Sequence, residues 1–136
     1  MRKVLLDTNA YSELMRGNTD VLAILQHAEW VGLTATSLGE LIGGFEFGSK
    51  YQENLEQLNK FLNKPTVTSV PVDETTATFY AKVYAFLRKK GKPIPSNDIW
   101  IAASTLQHGC KLCTFDAHFK MIDNLLVATN LTEFLL

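Results

Sequence analysis

Four acidic residues stand at positions from which they could hold a metal ion together. Asp7 and Asp116 each stand at the end of a predicted buried strand, the first of which spans residues 3–6. Glu40 and Asp98 lie in the first turns of two predicted helices that follow polar residues. In an open α/β fold, the carboxyl ends of the strands form the edge where ligands bind. The sequence therefore predicts that all four carboxylates converge at one edge of a sheet.

Each acid, taken alone, has a simpler explanation as a helix cap. Ser37 and Glu40 have the spacing of a capping box, and the other three acids stand among residues that commonly cap helices. The set is harder to explain in this way. Two carboxylates about 4 Å apart repel by about 4 kcal/mol at an effective dielectric constant near 20. A carboxylate at a helix N-terminus is stabilised by only about 0.3 to 1 kcal/mol. A cluster of such acids should therefore take up protons or bind a cation.

The donor type indicates which cation and which chemistry to expect. Carboxylate oxygens in a partly open site suit Mg²⁺ or Mn²⁺ better than zinc, with water completing the coordination shell. A carboxylate cluster without a cysteine, histidine or serine nucleophile favours metal-assisted phosphodiester chemistry. In that chemistry the metal activates water, polarises the phosphoryl oxygen and neutralises developing charge.

Short apolar runs alternate with helical patterns along the whole chain. The predicted strands are residues 3–6, 31–35, 67–72, 111–114 and 125–128. The predicted helices are residues 9–15, 21–28, a helix opening at Thr36, 52–62, 74–90 and 99–107. This alternation predicts one α/β domain over residues 1–136, a three-layer α/β/α sandwich with a mainly parallel, roughly five-stranded sheet.

Apolar spacing predicts which helix faces point inward. In the helix of residues 21–28, Leu22, Leu25 and Ala28 fall on one face. The helix of residues 74–90 has an apolar arc wide enough to pack against both the sheet and a second subunit. We therefore expect a dimer.

The overall composition limits the possible partners. The 136 residues are 46% hydrophobic and 20% charged, as in ordinary globular proteins, and the net charge of −1 argues against a broadly basic nucleic-acid-binding surface. No stretch approaches 18 consecutive apolar residues, so we expect no membrane span and a cytoplasmic protein. The basic residues that could contact phosphates, here interpreted as solvated charges, are Arg16, Arg88, Lys89, Lys90 and Lys92.

Two further features contain residue types that can bind metals or catalyse reactions, but each favours a structural interpretation. Cys110 and Cys113 form a lone C-x-x-C that leads into a predicted strand and lacks the second pair of ligands that zinc needs. His118 has a side chain suited to general-base catalysis. Its position directly before Phe119, with no second histidine nearby, favours a structural role.

Four segments of the chain, in order, resemble the motifs of PIN-domain ribonucleases, and most of all the VapC-type toxins of bacterial and archaeal toxin-antitoxin pairs. These segments are Leu6-Asp7-Thr8-Asn9, Ser37-Leu38-Gly39-Glu40-Leu41-Ile42-Gly43-Gly44, Pro95-Ser96-Asn97-Asp98-Ile99-Trp100-Ile101-Ala102-Ala103 and Leu112-Cys113-Thr114-Phe115-Asp116-Ala117-His118-Phe119. The resemblance covers nearly the whole chain.

The resemblance implies roles for individual residues. Asp7, Glu40 and Asp98 would be the core metal-binding acids, and Asp116 would hold a second metal or position water. Thr8 and Thr114 would be hydroxyl supports, and Asn97 a polar neighbour of the site. The implied activity is a Mg²⁺- or Mn²⁺-dependent endoribonuclease acting on RNA. The implied partners are a second copy of the chain and an antitoxin whose C-terminal segment blocks the acidic groove.

Other classes fit the residues less well. A haloacid-dehalogenase-like phosphatase would need an acid two positions after Asp7, where Asn9 stands, and a receiver domain would need an early acid pair. A catalytically silent module that binds RNA or protein remains the alternative. Substitution of a core acid would favour that alternative, and none of the three is substituted.

Overall fold

The computed structural model describes residues 1–136, in which five strands alternate with helices. The strands are β1 (Lys3–Leu6), β2 (Trp30–Thr34), β3 (Val67–Val70), β4 (Lys111–Cys113) and β5 (Val127–Ala128). The α-helices are α1 (Thr8–Met15), α2 (Thr19–His27), α3 (Ala35–Phe47), α4 (Tyr51–Leu62), α5 (Glu74–Lys90), α6 (Ser96–Gln107) and α7 (Leu131–Leu135). A 3₁₀ helix spans Ala117–Met121.

All four strand pairs are parallel, and the strand order is β3-β2-β1-β4-β5. Strand β1 is therefore central, with β2 and β4 hydrogen-bonded on either side. The register pairs Leu6 at the end of β1 with Leu33 of β2 and Cys113 of β4. The residues that follow these three positions thus emerge side by side at the carboxyl edge of the sheet.

Helices cover both faces of this sheet, which confirms the predicted three-layer α/β/α arrangement. Successive residues of a strand point to opposite faces. Accordingly, Val4 and Leu6 join a core formed with α1, α2, α3, α4 and α7. Leu5 joins the second core, formed with α5, α6 and the 3₁₀ helix. None of the helices combines the length and the apolar character needed to cross a bilayer.

The structure corrects one residue of the predicted inward face of α2. Ala28 is buried and Leu25 packs against the core as predicted, but Leu22 is exposed, and Val21 and Ile24 are the fully buried residues of the helix. The helix begins earlier than predicted because Asn18 caps it, accepting hydrogen bonds from the backbone N–H groups of Asp20 and Val21. Leu22 and Val21 both fit an i, i+3 apolar pattern, so periodicity alone does not distinguish the two faces.

Candidate active site

Asp7 is the most deeply placed of the four acids. It follows β1 directly and caps α1, where its Oδ1 accepts a hydrogen bond of 2.7 Å from the backbone N–H of Ala10. Its Oδ2 accepts a hydrogen bond from the hydroxyl of Thr114, which follows the neighbouring strand β4. The residue is only 4% exposed. Both oxygens are therefore held in fixed directions at the carboxyl edge of the sheet.

Burial makes ionisation of Asp7 costly. Desolvation raises the pKa of its carboxyl group from 3.8 to about 6, against the opposing effect of the hydrogen bonds from Thr114 and Ala10. The negative charges of Asp116 and Asp98 raise the pKa further. A cation placed among these groups would offset both desolvation and repulsion. Asp7 thus has the electrostatic character expected of a metal ligand.

Glu40 reaches the same region from α3, but not as the predicted capping box. The cap of α3 is Thr34, whose hydroxyl oxygen accepts the N–H of Ser37 at 3.1 Å. Glu40 accordingly lies in the second turn of α3. The hydroxyl of Thr8 donates to Glu40 Oε1, and the amide of Asn97 donates to Oε2 at 3.3 Å. Glu40 is thus held by two other segments of the chain, and a capping role does not explain its position.

Asp98 and Asp116 both lie beside the imidazole ring of His118. Asp98 lies in the first turn of α6, and Asp116 caps the 3₁₀ helix by accepting the backbone N–H of His118 at 2.9 Å. His118 Nδ1 lies 3.4 Å from Asp98 Oδ2 and 3.2 Å from Asp116 Oδ1. Partial burial raises the pKa of Asp98, as do the charges of Asp116 and Glu40, while contact with His118 opposes the shift.

The four acids line one small pocket of about 90 Å³. Its lining residues are Asp7, Thr8, Asn9, Glu40, Asp98, Ile101 and Asp116. Thr114 and Asn97 stand just outside this set and hold Asp7 and Glu40 in place. All seven residues singled out from the sequence therefore meet at one place, as the positions of their elements in the parallel sheet require.

His118 is the residue that sequence reasoning undervalued. Its side chain is half-exposed and contacts two of the acids, whereas the adjacent Phe119 is buried in the core. The available signal was the spacing of Asp116 and His118, which places the imidazole two residues after an acid that ends a strand. Together, Asp98, Asp116 and His118 bring three potential ligand atoms within 4.8 Å of one another.

Neither cysteine lines this pocket. Cys113 is buried in β4, and Cys110 stands in the turn before it; both thiols are free. Burial raises the pKa of Cys110 to about 11 and that of Cys113 to about 12. Both groups are thus protonated at neutral pH, a form that neither attacks an electrophile nor binds a metal well.

The donor set fits a hard divalent cation. Four carboxylates border the pocket, the imidazole of His118 contacts two of them, and neither thiol lines it. The buried Asp7 is already held by a hydroxyl and an N–H group, as is typical of ligands that neighbouring hydrogen bonds orient. Carboxylate oxygens with room for water are the environment in which Mg²⁺ and Mn²⁺ bind.

The sheet is parallel, and four carboxylates gather at its carboxyl edge. The protein is therefore an α/β protein with an acidic candidate metal site. A model of the PIN domain family matches residues 4–125. The chain belongs to the PIN domain family, which confirms the resemblance drawn from its four motifs.

The relatives support this assignment over nearly the full chain. Toxin FitB of Neisseria gonorrhoeae is 35% identical over 125 residues, covering 83% of this chain and 87% of FitB. Ribonuclease VapC4 of Mycobacterium tuberculosis is 28% identical over 131 residues, covering 95% and 98% of the two chains. The structure of VapBC-1 from nontypeable Haemophilus influenzae has a TM-score of 0.78 at 25% identity, covering 93% of this chain and 96% of that one.

Proposed function

We propose that this chain is a Mg²⁺- or Mn²⁺-dependent endoribonuclease that cleaves RNA phosphodiester bonds and acts as the toxin of a type II toxin-antitoxin system. The observation that carries this proposal is the meeting of Asp7, Glu40, Asp98 and Asp116 in one small pocket. The relative named ribonuclease VapC4 supports RNA as the substrate, and the relative named toxin FitB supports the toxin assignment.

Each side chain has a distinct task in this proposal. Asp7, Glu40 and Asp98 would supply the principal ligand oxygens, and Asp116, which lines the same pocket, would hold a second ion or position a water. Thr114, Thr8 and Asn97 orient those oxygens through hydrogen bonds. A bound divalent cation would supply an activated water and charge neutralisation at the phosphate.

The organisation of the molecule is part of the same proposal. We assign residues 1–136 to a single PIN-like domain that forms a homodimer and pairs with an antitoxin protein in the cytoplasm. The VapBC-1 structure, which this chain resembles in fold, supports a protein partner. Val83 of α5 is buried against the core, whereas Tyr84, on another face of the same helix, is exposed. This exposed face supports the expectation that α5 also contacts a second subunit.

A cleavage assay on purified protein tests the enzyme proposal. The wild-type chain should cut RNA in the presence of Mg²⁺ or Mn²⁺ and stop when EDTA is added. Asp7→Asn should lose the activity by at least about a hundredfold, because it removes a buried ligand charge. Glu56→Gln, which changes an exposed acid of α4, is the matched control and should retain full activity. RNA binding without cleavage under all metal conditions would instead support the catalytically silent module.

A further inference from the structure

The imidazole of His118 lies beside two of the pocket carboxylates at nearly equal distances. Its Nδ1 atom is 3.2 Å from Oδ1 of Asp116 and 3.4 Å from Oδ2 of Asp98. A hydrogen bond from a ring N–H group to a carboxylate is typically about 2.9 to 3.0 Å long, and one N–H group points at only one of two oxygens. The nitrogen is therefore placed between the two acids rather than bound closely to either.

The three atoms have the spacing of neighbouring ligands on one metal ion. Ligands at right angles on an octahedral ion, with bonds of about 2.1 Å, are about 3.0 Å apart. The two nitrogen–oxygen distances are only slightly longer, and all three atoms lie within 4.8 Å of one another. The side chain of His118 is 48% exposed, so water has access to the remaining coordination positions. The group thus offers two oxygens and one nitrogen to a divalent ion.

Backbone contacts hold His118 in this position independently of its ring. Its N–H group donates to Asp116 Oδ1 at 2.9 Å, and the N–H group of Asp116 donates to the hydroxyl oxygen of Thr114 at 3.0 Å. The next residue, Phe119, is buried in the core. Thr114 also donates to Asp7, so the turn that carries the imidazole is connected to the most buried acid of the pocket. The ring is therefore oriented by hydrogen bonds of the surrounding chain, as metal ligands usually are.

No lysine or arginine neutralises the acidic pocket. The three ion pairs formed by lysine or arginine side chains all join residues that do not line it. His118 is the one basic side chain within ion-pair distance of the four acids. An imidazolium would balance one negative charge at most, whereas a divalent ion balances two and gains the imidazole as a further ligand. This arrangement favours a ligand role for His118 over a simple ion pair.

We infer that His118 Nδ1 binds a divalent transition-metal ion together with Asp98 and Asp116, and that this nitrogen ligand makes the site prefer Mn²⁺ to Mg²⁺. The inference rests on the proposed function for the presence of a metal, and it adds a ligand that is not an acid and a preference between the two ions. Mg²⁺ is bound almost entirely through oxygen, whereas imidazole binds first-row transition ions. Mn²⁺ is a transition ion that also binds carboxylates and water.

Pulsed electron paramagnetic resonance of bound Mn²⁺ tests the nitrogen ligand directly. Electron spin echo envelope modulation detects a nitrogen nucleus bound to Mn²⁺ and needs neither RNA nor turnover. We expect nitrogen modulation in the intact wild-type chain with equimolar Mn²⁺, and its loss in His118→Ala. His27→Ala, which removes an exposed imidazole of α2, is the matched control and should retain the signal.

Metal affinity distinguishes a ligand from an ion pair. Isothermal titration calorimetry would give Kd for Mn²⁺ and for Mg²⁺ in the wild type and in His118→Ala. Loss of the ligand should raise Kd for Mn²⁺ about tenfold or more and change Kd for Mg²⁺ by less than about twofold. If the imidazole only pairs with the acids, its removal would free their oxygens and lower both Kd values together, which would overturn the inference.

A second variant keeps the test independent of the alanine substitution. His118→Asp replaces the nitrogen ligand by oxygen, and should bind Mg²⁺ more tightly than the wild type and show no nitrogen modulation with Mn²⁺. Both variants should remain folded, as judged by circular dichroism, because the backbone hydrogen bonds of the turn and the buried Phe119 are unchanged.

The inference and the proposed function can fail separately. Mn²⁺ binding to the wild-type chain without nitrogen modulation would overturn the imidazole ligand and leave the metal-dependent ribonuclease in place. Absence of any Mn²⁺ binding, together with no cleavage of RNA, would overturn both.

Discussion

Among the residues of the pocket, Asp7 is the one whose negative charge is most destabilised by its surroundings. It is almost fully buried, its oxygens are fixed by Ala10 and Thr114, and two other acids lie close enough to raise its pKa. A helix cap alone would place such a carboxylate at the surface, where water solvates it. The burial of Asp7 is thus the residue-level feature that most favours a bound cation.

The pKa of Asp7 predicts how metal-free stability depends on pH. The folded-state pKa of about 6 lies above the ordinary value of 3.8, so the folded state retains the proton longer than the unfolded state. Stability is therefore full below about pH 4 and falls as pH rises towards 6, by roughly 3 kcal/mol in total. Asp7→Asn should not show this loss.

Urea denaturation of both proteins in EDTA measures the difference. The free energy of unfolding of Asp7→Asn relative to wild type should increase between pH 4 and pH 7. A difference that stays constant over this range would contradict the assigned burial of the charge. Comparing the two proteins at each pH removes the contributions of the other titrating groups.

The hydrogen bond from Thr8 to Glu40 gives a second residue-level prediction. Thr8→Val keeps the shape of the side chain but removes the donor that holds Oε1. Loss of such an orienting contact should weaken Mn²⁺ affinity about 10-fold to 100-fold. Isothermal titration calorimetry measures the effect, with Thr8→Ser as the hydroxyl-retaining control. If Val and Ser variants bind Mn²⁺ alike, Thr8 has no orienting role.

At the level of elements, most of the fold could be predicted, whereas several boundaries and caps could not. The order of strands and helices follows from alternating β-rich runs and 3.6-residue periodicity, and the structure has every predicted element in its place. The predicted cap of α3 was wrong because Ser37 and Glu40 mimic a capping box. Only the tertiary structure shows that Thr34 is both the last residue of β2 and the cap of α3.

Two further differences have similar causes. The short helix α7 was not predicted, although Asn130 and Glu133 have capping-box spacing, because its five residues are too few for a periodic pattern. Strand β3 ends at Val70 rather than Val72, since β2, its pairing partner, ends at Thr34 opposite Val70. A sequence window contains no information about where the partner strand stops.

The cap of α3 can be tested by a pair of substitutions. Thr34→Val keeps the buried volume but removes the oxygen that accepts the Ser37 N–H, and should destabilise the protein by about 1 kcal/mol. Ser37→Ala removes a buried hydroxyl that has no hydrogen-bond partner, and should be neutral or stabilising. Urea denaturation checks both. A larger loss for Ser37→Ala than for Thr34→Val would restore the capping-box interpretation.

At the scale of the whole molecule, the site follows from the sheet topology. Because β1 is central and all strands run parallel, the ends of β1, β2 and β4 lie together, and with them α1, α3 and the segment that carries Thr114 and Asp116. The convergence of four acids over 109 residues of sequence, from Asp7 to Asp116, could therefore be predicted once parallel strands were assumed. The contacts of His118 could not, because they depend on side-chain placement within one turn.

Divalent metal should stabilise the whole domain. Binding to the folded state alone stabilises it by about 2.7 kcal/mol when the free metal concentration is 100 times Kd. The melting temperature should therefore rise by several degrees in millimolar Mn²⁺. Asp98→Asn should reduce that rise while remaining folded, because Asp98 is only partly buried at the start of α6. Differential scanning fluorimetry measures both, and Glu56→Gln serves as the control.

Anomalous scattering from crystals soaked in Mn²⁺ tests whether the four carboxylates hold a divalent cation. We expect a Mn²⁺ peak inside the pocket, in contact with carboxylate oxygens of Asp7 and Asp98, and loss of that peak in Asp7→Asn. An empty pocket at millimolar Mn²⁺, or a peak only at acids elsewhere on the surface, would contradict it.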